Sequence, residues 1–324
     1  GHRVIVPQAN AAEAALAGAE VIGAASLRDV AEYLAGRKEI TQESKAEPPR
    51  NERRGADLAD VKGQLQARRA LEIAAAGNHN LLFVGPPGTG KSMLARRLPG
   101  LLPKLSTSEA LETAAVSSLA GVTVDMSEWN KRPFRSPHHT ASAAALVGGG
   151  PKLSPGEVSR AHNGVLFLDE LPEFNRNVLE VLREPMETGS ITIARAGMHA
   201  DFPARFQLIA AMNPCPCGYL GDEQSDCHCS ADRVATYRNK VSGPLLDRID
   251  LHVEVPRPPT EMLRSNAPDG EASSVVAERV AGAWRLQIRR AGSANSRLEG
   301  EQLAAACALD DTCWSLLESA AERF

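Results

Sequence analysis

Two stretches of the chain carry residues of the type and spacing needed for phosphate chemistry. The first is Gly85-Pro86-Pro87-Gly88-Thr89-Gly90-Lys91-Ser92. Its glycines let the backbone wrap a phosphate with N–H groups facing inward. Lys91 can reach β- and γ-phosphates, and the Ser92 hydroxyl can sit on Mg²⁺. A helix beginning there adds the positive end of its dipole. The second is Val165-Leu166-Phe167-Leu168-Asp169-Glu170, four apolar residues followed by two acids. Asp169 is expected to share the Mg²⁺ with Ser92, through water, and Glu170 to polarise the water that attacks the γ-phosphate. A nucleoside triphosphate is the ligand these residues fit.

A third group is sulfur. Cys215-Pro216-Cys217 and Cys227-His228-Cys229 are two C-x-C pairs separated by nine residues. Four thiolates could hold a tetrahedral Zn²⁺ and stiffen the loop between them. The alternative is four reduced surface cysteines. Cys307 and Cys313 lie in a helical stretch and are expected to be buried as small apolar residues. His138-His139 has no third ligand near it in sequence, so it reads as structural or DNA-facing. Residues 131–160 hold Lys131, Arg132, Arg135, Lys152 and Arg160 against Glu157 alone. That cluster fits either a solvated basic surface or a phosphate-contacting one.

The elements that must position these groups follow from hydrophobic patterning. Leu81-Leu82-Phe83-Val84 reads as a buried strand leading into the glycine loop, with a helix from Ser92 to Leu98 stopped by Pro99-Gly100. Residues 165–168 and 206–212 read as strands buried on both faces of a parallel sheet, and 251–255 as its last strand. Ligands of such sheets bind at the carboxyl ends of the strands. Ser106 and Glu109 form a capping box for a helix to about Ser118, and Ser154 and Glu157 another. Residues 121–153 read as a long irregular loop, 175–187 as one helix, and 190–202 as a hairpin turning at Gly197. The helix 271–290 carries Val276, Val280, Trp284 and Ile288 on one face. At the front, residues 1–40 read β-α-β-α, with Ser26 capping the second helix, and 41–57 read as a solvated linker.

With 324 residues there is material for two or three domains and an ample core. The chain is 43% hydrophobic and 23% charged, ordinary for a globular protein, and its net charge of −4 gives no global pull toward nucleic acid. No apolar run is long enough to span a bilayer, and no signal peptide opens the sequence. A cytoplasmic protein without membrane contact is expected, its six cysteines in a reducing compartment.

These residues together resemble the AAA+ ATPases, and within them the ComM/YifB family of magnesium-chelatase-like proteins. The motifs that carry the resemblance are GPPGTGKSMLARRLPGLLP (85–103), FRSPHHTASAAALVGGG (134–150), AHNGVLFLDELPEF (161–174) and SGPLLDRIDLHVEVP (242–256). The resemblance implies an α/β fold: a P-loop αβα core with a parallel sheet over 58–257, pore insertions and the cysteine loop included. It also implies a small α-helical lid over 258–324, cut short before the lid's second sensing arginine, and a remnant of a Lon-protease-like domain over 1–40. ATP and Mg²⁺ are the implied cofactors. Asn213 is the implied γ-phosphate sensor, and Arg248 the arginine finger that completes a neighbour's site in a hexameric ring. A plain surface ion pair is the alternative role for Arg248. The insertion at 121–153 and the hairpin at 190–202 are the implied pore elements, so that Arg195 and Lys152 would touch DNA phosphates. The implied function is a DNA motor for branch migration in natural transformation. Two alternatives stay open: the ATPase subunit of a magnesium chelatase, and a nucleotide-switched scaffold.

Overall fold

A computed structural model of the chain describes residues 3–15, 19–40, 42–43, 56–122, 125, 128–149, 153–195, 198–259 and 270–322. Strands β1 (Arg3–Pro7) and β2 (Glu20–Ala24) pair in parallel, and β3 (Gln42–Glu43) adds to β2 antiparallel. Ala11, Ala15 and Val21 form a small apolar centre there. Ser26 caps the helix Leu27–Leu34 by accepting from the Asp29 amide. The expected linker is thus shortened from both ends. Gln42 and Glu43 join a sheet, and Asp57 forms a capping box with Asp60; residues 44–55 lie outside the described residues.

The main sheet has five parallel strands in the order β12-β4-β11-β8-β5. They are β4 (Leu81–Val84), β5 (Phe134–Arg135), β8 (Val165–Leu168), β11 (Gln207–Met212) and β12 (Leu251–Glu254). Every residue of β8 and β11 is buried, which is what near-continuous apolar runs in a sheet covered on both faces require. Alternate residues feed two cores. Leu81, Phe83, Phe167 and Ile209 meet Leu71 and Ala74 of the helix Leu65–Gly77 on one face. Leu82, Leu166, Leu168 and Leu208 meet Val158, Leu179 and Leu182 on the other. Each such fully buried Leu or Phe contributes about 1.5–3 kcal/mol, enough in sum to fix the strand register.

The helix Leu65–Gly77 docks the long helix Ser273–Ala291, where Trp284 Nε1 donates to the Ala75 carbonyl at 2.8 Å and Gln287 Nε2 to that of Ala76 at 2.8 Å. Val276 and Val280 are buried as expected, but Ile288 is exposed and Gln287 takes its place. At about 100° per residue, position 287 returns to within about 20° of Val276, whereas 288 sits about 120° away. The last two helices, Gly300–Ala306 and Asp311–Ala321, bury none of their residues, so Cys307 and Cys313 are exposed rather than buried.

Four further expectations need correction. The helix after the glycine loop is only Lys91–Ala95. The stretch 175–187 is two helices, Arg176–Glu180 and Arg183–Thr188, because Pro185 tolerates only a first-turn position. Ser154 is not a cap. It forms β7 with Pro155, paired to β6 (Gly148–Gly149), and Gly156 caps the helix Glu157–Arg160. A side chain at Gly156 would collide with the Leu146 carbonyl at 2.3 Å, so this crossing needs glycine. The irregular 121–153 stretch also contains β5 and the helix Ala143–Val147, capped by Ser142. β9 (Ser190–Arg195) and β10 (Met198–Pro203) form the expected hairpin, with Gly197 outside the described residues.

Candidate nucleotide site

The glycine loop leaves β4 at the carboxyl edge of the sheet, between β12 and β11. Gly88 and Gly90 hold φ of +77° and +93°, values that favour glycine, and a Cβ at Gly85 would lie 2.2 Å from the Val255 carbonyl. Thr89 is buried, its hydroxyl donating to the Pro86 carbonyl at 3.0 Å. Gln64 ties the loop down from outside, its amide donating to the carbonyls of Thr89 at 3.2 Å and Pro256 at 2.6 Å.

Lys91 is only 8% exposed, and its Nζ donates to the Gly85 and Pro86 carbonyls at 2.7 and 2.8 Å and to Asn213 Oδ1 at 3.2 Å. Asn213 arrives there because β11 lies between β4 and β8, with Met212 in register with Val84. On the far side of β11, Asp169 leaves β8 and accepts from the Ser92 hydroxyl at 2.5 Å. Lys91, Ser92, Asp169 and Asn213 therefore converge on one edge of three adjacent strands. Ser92 Oγ and Asp169 Oδ2 are hard oxygen donors side by side, the donor type that Mg²⁺ takes.

Glu170 follows with φ of +54°, a left-handed conformation costing a non-glycine residue roughly 1–2 kcal/mol. Its side chain is half-exposed and its Oε2 lies 3.1 Å from His139 Nδ1. His139 is braced by His138, ring centroids 4.1 Å apart, and by the edge of Phe174 at 6.5 Å. This contact was beyond the reach of sequence reasoning. Nothing in the spacing of 139 and 170 announces it; only the adjacency of β5 and β8 brings the two segments together.

Arg248 is not part of this convergence. It stands at the opposite, amino edge of the sheet, where Asn80 Nδ2 donates to its carbonyl at 2.9 Å. The four residues of β4, at about 3.3 Å each, separate that edge from the glycine loop. Its guanidinium donates to the Pro244 carbonyl at 2.7 Å and pairs with Glu187, while the buried Nε finds no partner among the described residues.

The basic cluster is largely spoken for. Lys131 pairs with Glu128, Arg132 with Glu109, and Arg135 and Arg160 both with Glu157. Two of these acids lie outside the 131–160 window, which is why counting charge within it overstated the field. Lys152 lies outside the described residues, as does the side chain of Arg195, whose backbone ends β9. The four loop cysteines do come together, their sulfurs all within 4.8 Å of one another.

Burial pushes the Lys91 amine down to about 8 from 10.5, with the Asp169 charge opposing. A folded value below the unfolded one means that stability from this group is lost as pH falls through the window from 10.5 to 8. A triphosphate beside the amine would reverse the shift. ATP binding is therefore expected to take up most of one proton near pH 9, and affinity to fall as pH rises from about 8 to about 10. Calorimetry in buffers of different ionisation enthalpy measures the uptake; none at pH ~9 would sink the contact between Lys91 and phosphate.

The family profile described as "Magnesium chelatase, subunit ChlI" matches residues 57–263, and its C-terminal counterpart, "Magnesium chelatase, subunit ChlI C-terminal", matches 270–324. The chain is 49% identical over 317 residues to "Uncharacterized protein YifB" of Salmonella typhimurium, covering 97% of this chain and 62% of that protein. It is 47% identical over 327 residues to "Competence protein ComM" of Haemophilus influenzae, covering 98% and 63%. The chain thus spans under two thirds of the length of these relatives. A cryo-EM-based structure of the complex between subunits BchI and BchD of magnesium chelatase aligns with a TM-score of 0.46 and 24% identity, over 77% of this chain and 76% of that one.

Proposed function

This chain belongs to the magnesium chelatase subunit ChlI family, a family of AAA+ ATPases, and from that premise we propose that it hydrolyses ATP at residues 85–92 and spends the energy moving DNA through a ring of identical subunits. The observation that carries the reading is the convergence of Lys91, Ser92, Asp169 and Asn213 on one sheet edge. Lys91 would hold the β- and γ-phosphates. Ser92 and Asp169 would hold Mg²⁺, which when bound neutralises phosphate charge. Asn213, tethered to Lys91, would sense the γ-phosphate, and Glu170 would take the proton of the attacking water. Arg248 would complete the site of the next subunit.

DNA as the substrate is supported by the hairpin β9–β10. Ile191 and Phe202 anchor its base in the core while Thr192, Ala194, His199 and Asp201 stand exposed. Gly148 of β6 lies against Ile193 of β9, so the end of the insertion adjoins the hairpin. The other basic residues of the insertion are held in ion pairs, and the proposed DNA contacts are Arg195 and Lys152. The name "Competence protein" carried by the Haemophilus relative accords with this reading.

The test uses the full-length protein. DNA is expected to stimulate its ATPase several-fold, and labelled single-stranded DNA to raise its fluorescence anisotropy in the presence of a slowly hydrolysed ATP analogue. Arg195→Ala with Lys152→Ala should weaken that binding to a similar degree for all sequences and flatten its salt dependence, because phosphate contacts carry no base information. An ATPase indifferent to DNA, with no anisotropy change, would move the reading to the chelatase class instead.

A further inference from the structure

The loop that leaves β11 just beyond Asn213 carries no helix or strand until Ala231. A stretch of that length needs something other than backbone ladders to hold it. Its four cysteines supply the means. The sulfur of Cys215 lies 3.3 Å from that of Cys217 and 3.7 Å from that of Cys227, and Cys217 and Cys227 are 3.6 Å apart. Cys229 completes a set whose ligand atoms all fall within 4.8 Å of one another. A tetrahedral ion with metal–sulfur bonds of about 2.3 Å spaces its thiolates about 3.8 Å apart, so one ion fits the centre. The closest pair of sulfurs, 3.3 Å apart, stands well beyond the ~2.05 Å of a disulfide.

Backbone amides face three of the four sulfurs. The Tyr219 amide donates to the Cys217 sulfur, the Cys217 amide to that of Cys229, and the Cys229 amide to that of Cys227 at 3.5 Å. Such N–H···S bonds are the second layer that orients metal ligands. A donor set of sulfur alone suits Zn²⁺ and excludes Mg²⁺ or Ca²⁺.

The same loop touches the nucleotide site at two points. Cys215, fully buried, is two residues beyond Asn213, whose Oδ1 accepts from Lys91. Gly218, with φ of +88°, lies so close to Pro87 that a Cβ there would sit 2.7 Å from the proline Cδ. Arg238 Nε donates to the Pro214 carbonyl at 3.2 Å, and Arg257 pairs with the buried Asp222 at 3.0 Å, which closes the loop against the sheet edge.

We propose that Cys215, Cys217, Cys227 and Cys229 hold one Zn²⁺ that stiffens this loop against Asn213 and Pro87, so that nucleotide affinity depends on the metal. The coupling rests on residues 85–92 being the ATP site; the metal site does not. Zinc serves here as structure, with no redox or proton step. Its loss would free the loop, unseat Asn213 from Lys91 and release Pro87.

The experiment takes full-length protein carrying Cys307→Ser and Cys313→Ser, so that these two exposed thiols do not compete for reagent. Elemental analysis is expected to find about one zinc and no stoichiometric iron per chain. A mercurial reagent should release that zinc in step with the four loop thiols. Affinity for a fluorescent ATP analogue should then fall about tenfold or more, the size of a lost charge-assisted hydrogen bond, and return when the reagent is stripped and zinc restored. Cys217→Ser and Cys227→Ser should each lose zinc and show the same weakening. Iron in place of zinc, or four thiols that titrate freely with no metal present, would overturn the site. Complete zinc release with unchanged affinity would overturn the coupling. Zinc-loaded protein that bound no analogue at all would overturn the nucleotide reading and the coupling with it, and leave the metal site standing.

Discussion

Glu170→Gln protein is expected to bind ATP as tightly as the parent and to turn it over between about a hundredfold and ten-thousandfold more slowly, the range a lost general base commands. Glu170 touches neither Lys91 nor Ser92; its partners are its own neighbour Asp169, through the backbone, and His139, through the side chain. Glutamine keeps the size of the side chain and can still accept a hydrogen bond from the His139 ring, so the ground state is spared. What it cannot do is take a proton from water. Lys91→Ala should do the opposite. Lys91 is buried against the loop it would share with the phosphates, and its removal should weaken ATP binding by about a hundredfold or more. Equilibrium binding of a fluorescent ATP analogue and steady-state phosphate release separate the two variants. Thermal melting guards against an unfolded Lys91→Ala. Parent-like hydrolysis by Glu170→Gln would remove Glu170 from the site.

The parts of this site that were legible in the sequence are those made by consecutive residues. The glycine loop needs its backbone conformation in one run, and the Asp169-Glu170 pair announces itself by ending an apolar strand. The parallel sheet was legible too, because strands buried on both faces must be apolar throughout, as β8 and β11 are. What failed were three readings that depend on partners distant in the chain. His139 meets Glu170 only through the fold. The apparent basic field of 131–160 collapsed because Glu109 and Glu128 pair with Arg132 and Lys131 from outside that window. Cys307 was expected inside from its type alone, yet a cysteine is buried only if some element covers it, and none of the described ones does.

Arg248 supplies the second large effect, and its direction depends on which subunit it serves. Within one chain it sits at the amino edge of the sheet, a full strand length from Lys91, so it cannot reach the phosphates its own subunit holds. If its only role were the ion pair with Glu187, losing it would cost about 1 kcal/mol of stability or less and leave catalysis alone. Arg183 and Arg257 carry an equally unpartnered Nε beside their own ion pairs, so the larger role rests instead on the place of Arg248 in the motif at 242–256. We predict that Arg248→Ala keeps ATP affinity nearly intact and lowers turnover roughly a hundredfold or more, as loss of an arginine that neutralises transition-state charge does. Parent ATPase should accordingly rise steeply with protein concentration. The decisive measurement mixes two inactive proteins, Arg248→Ala and Glu170→Gln. In a ring some interfaces then join an intact Glu170 to an intact neighbouring Arg248, and part of the activity should return. If light scattering shows the two variants assembling together while no activity returns, Arg248 does not act across the subunit boundary.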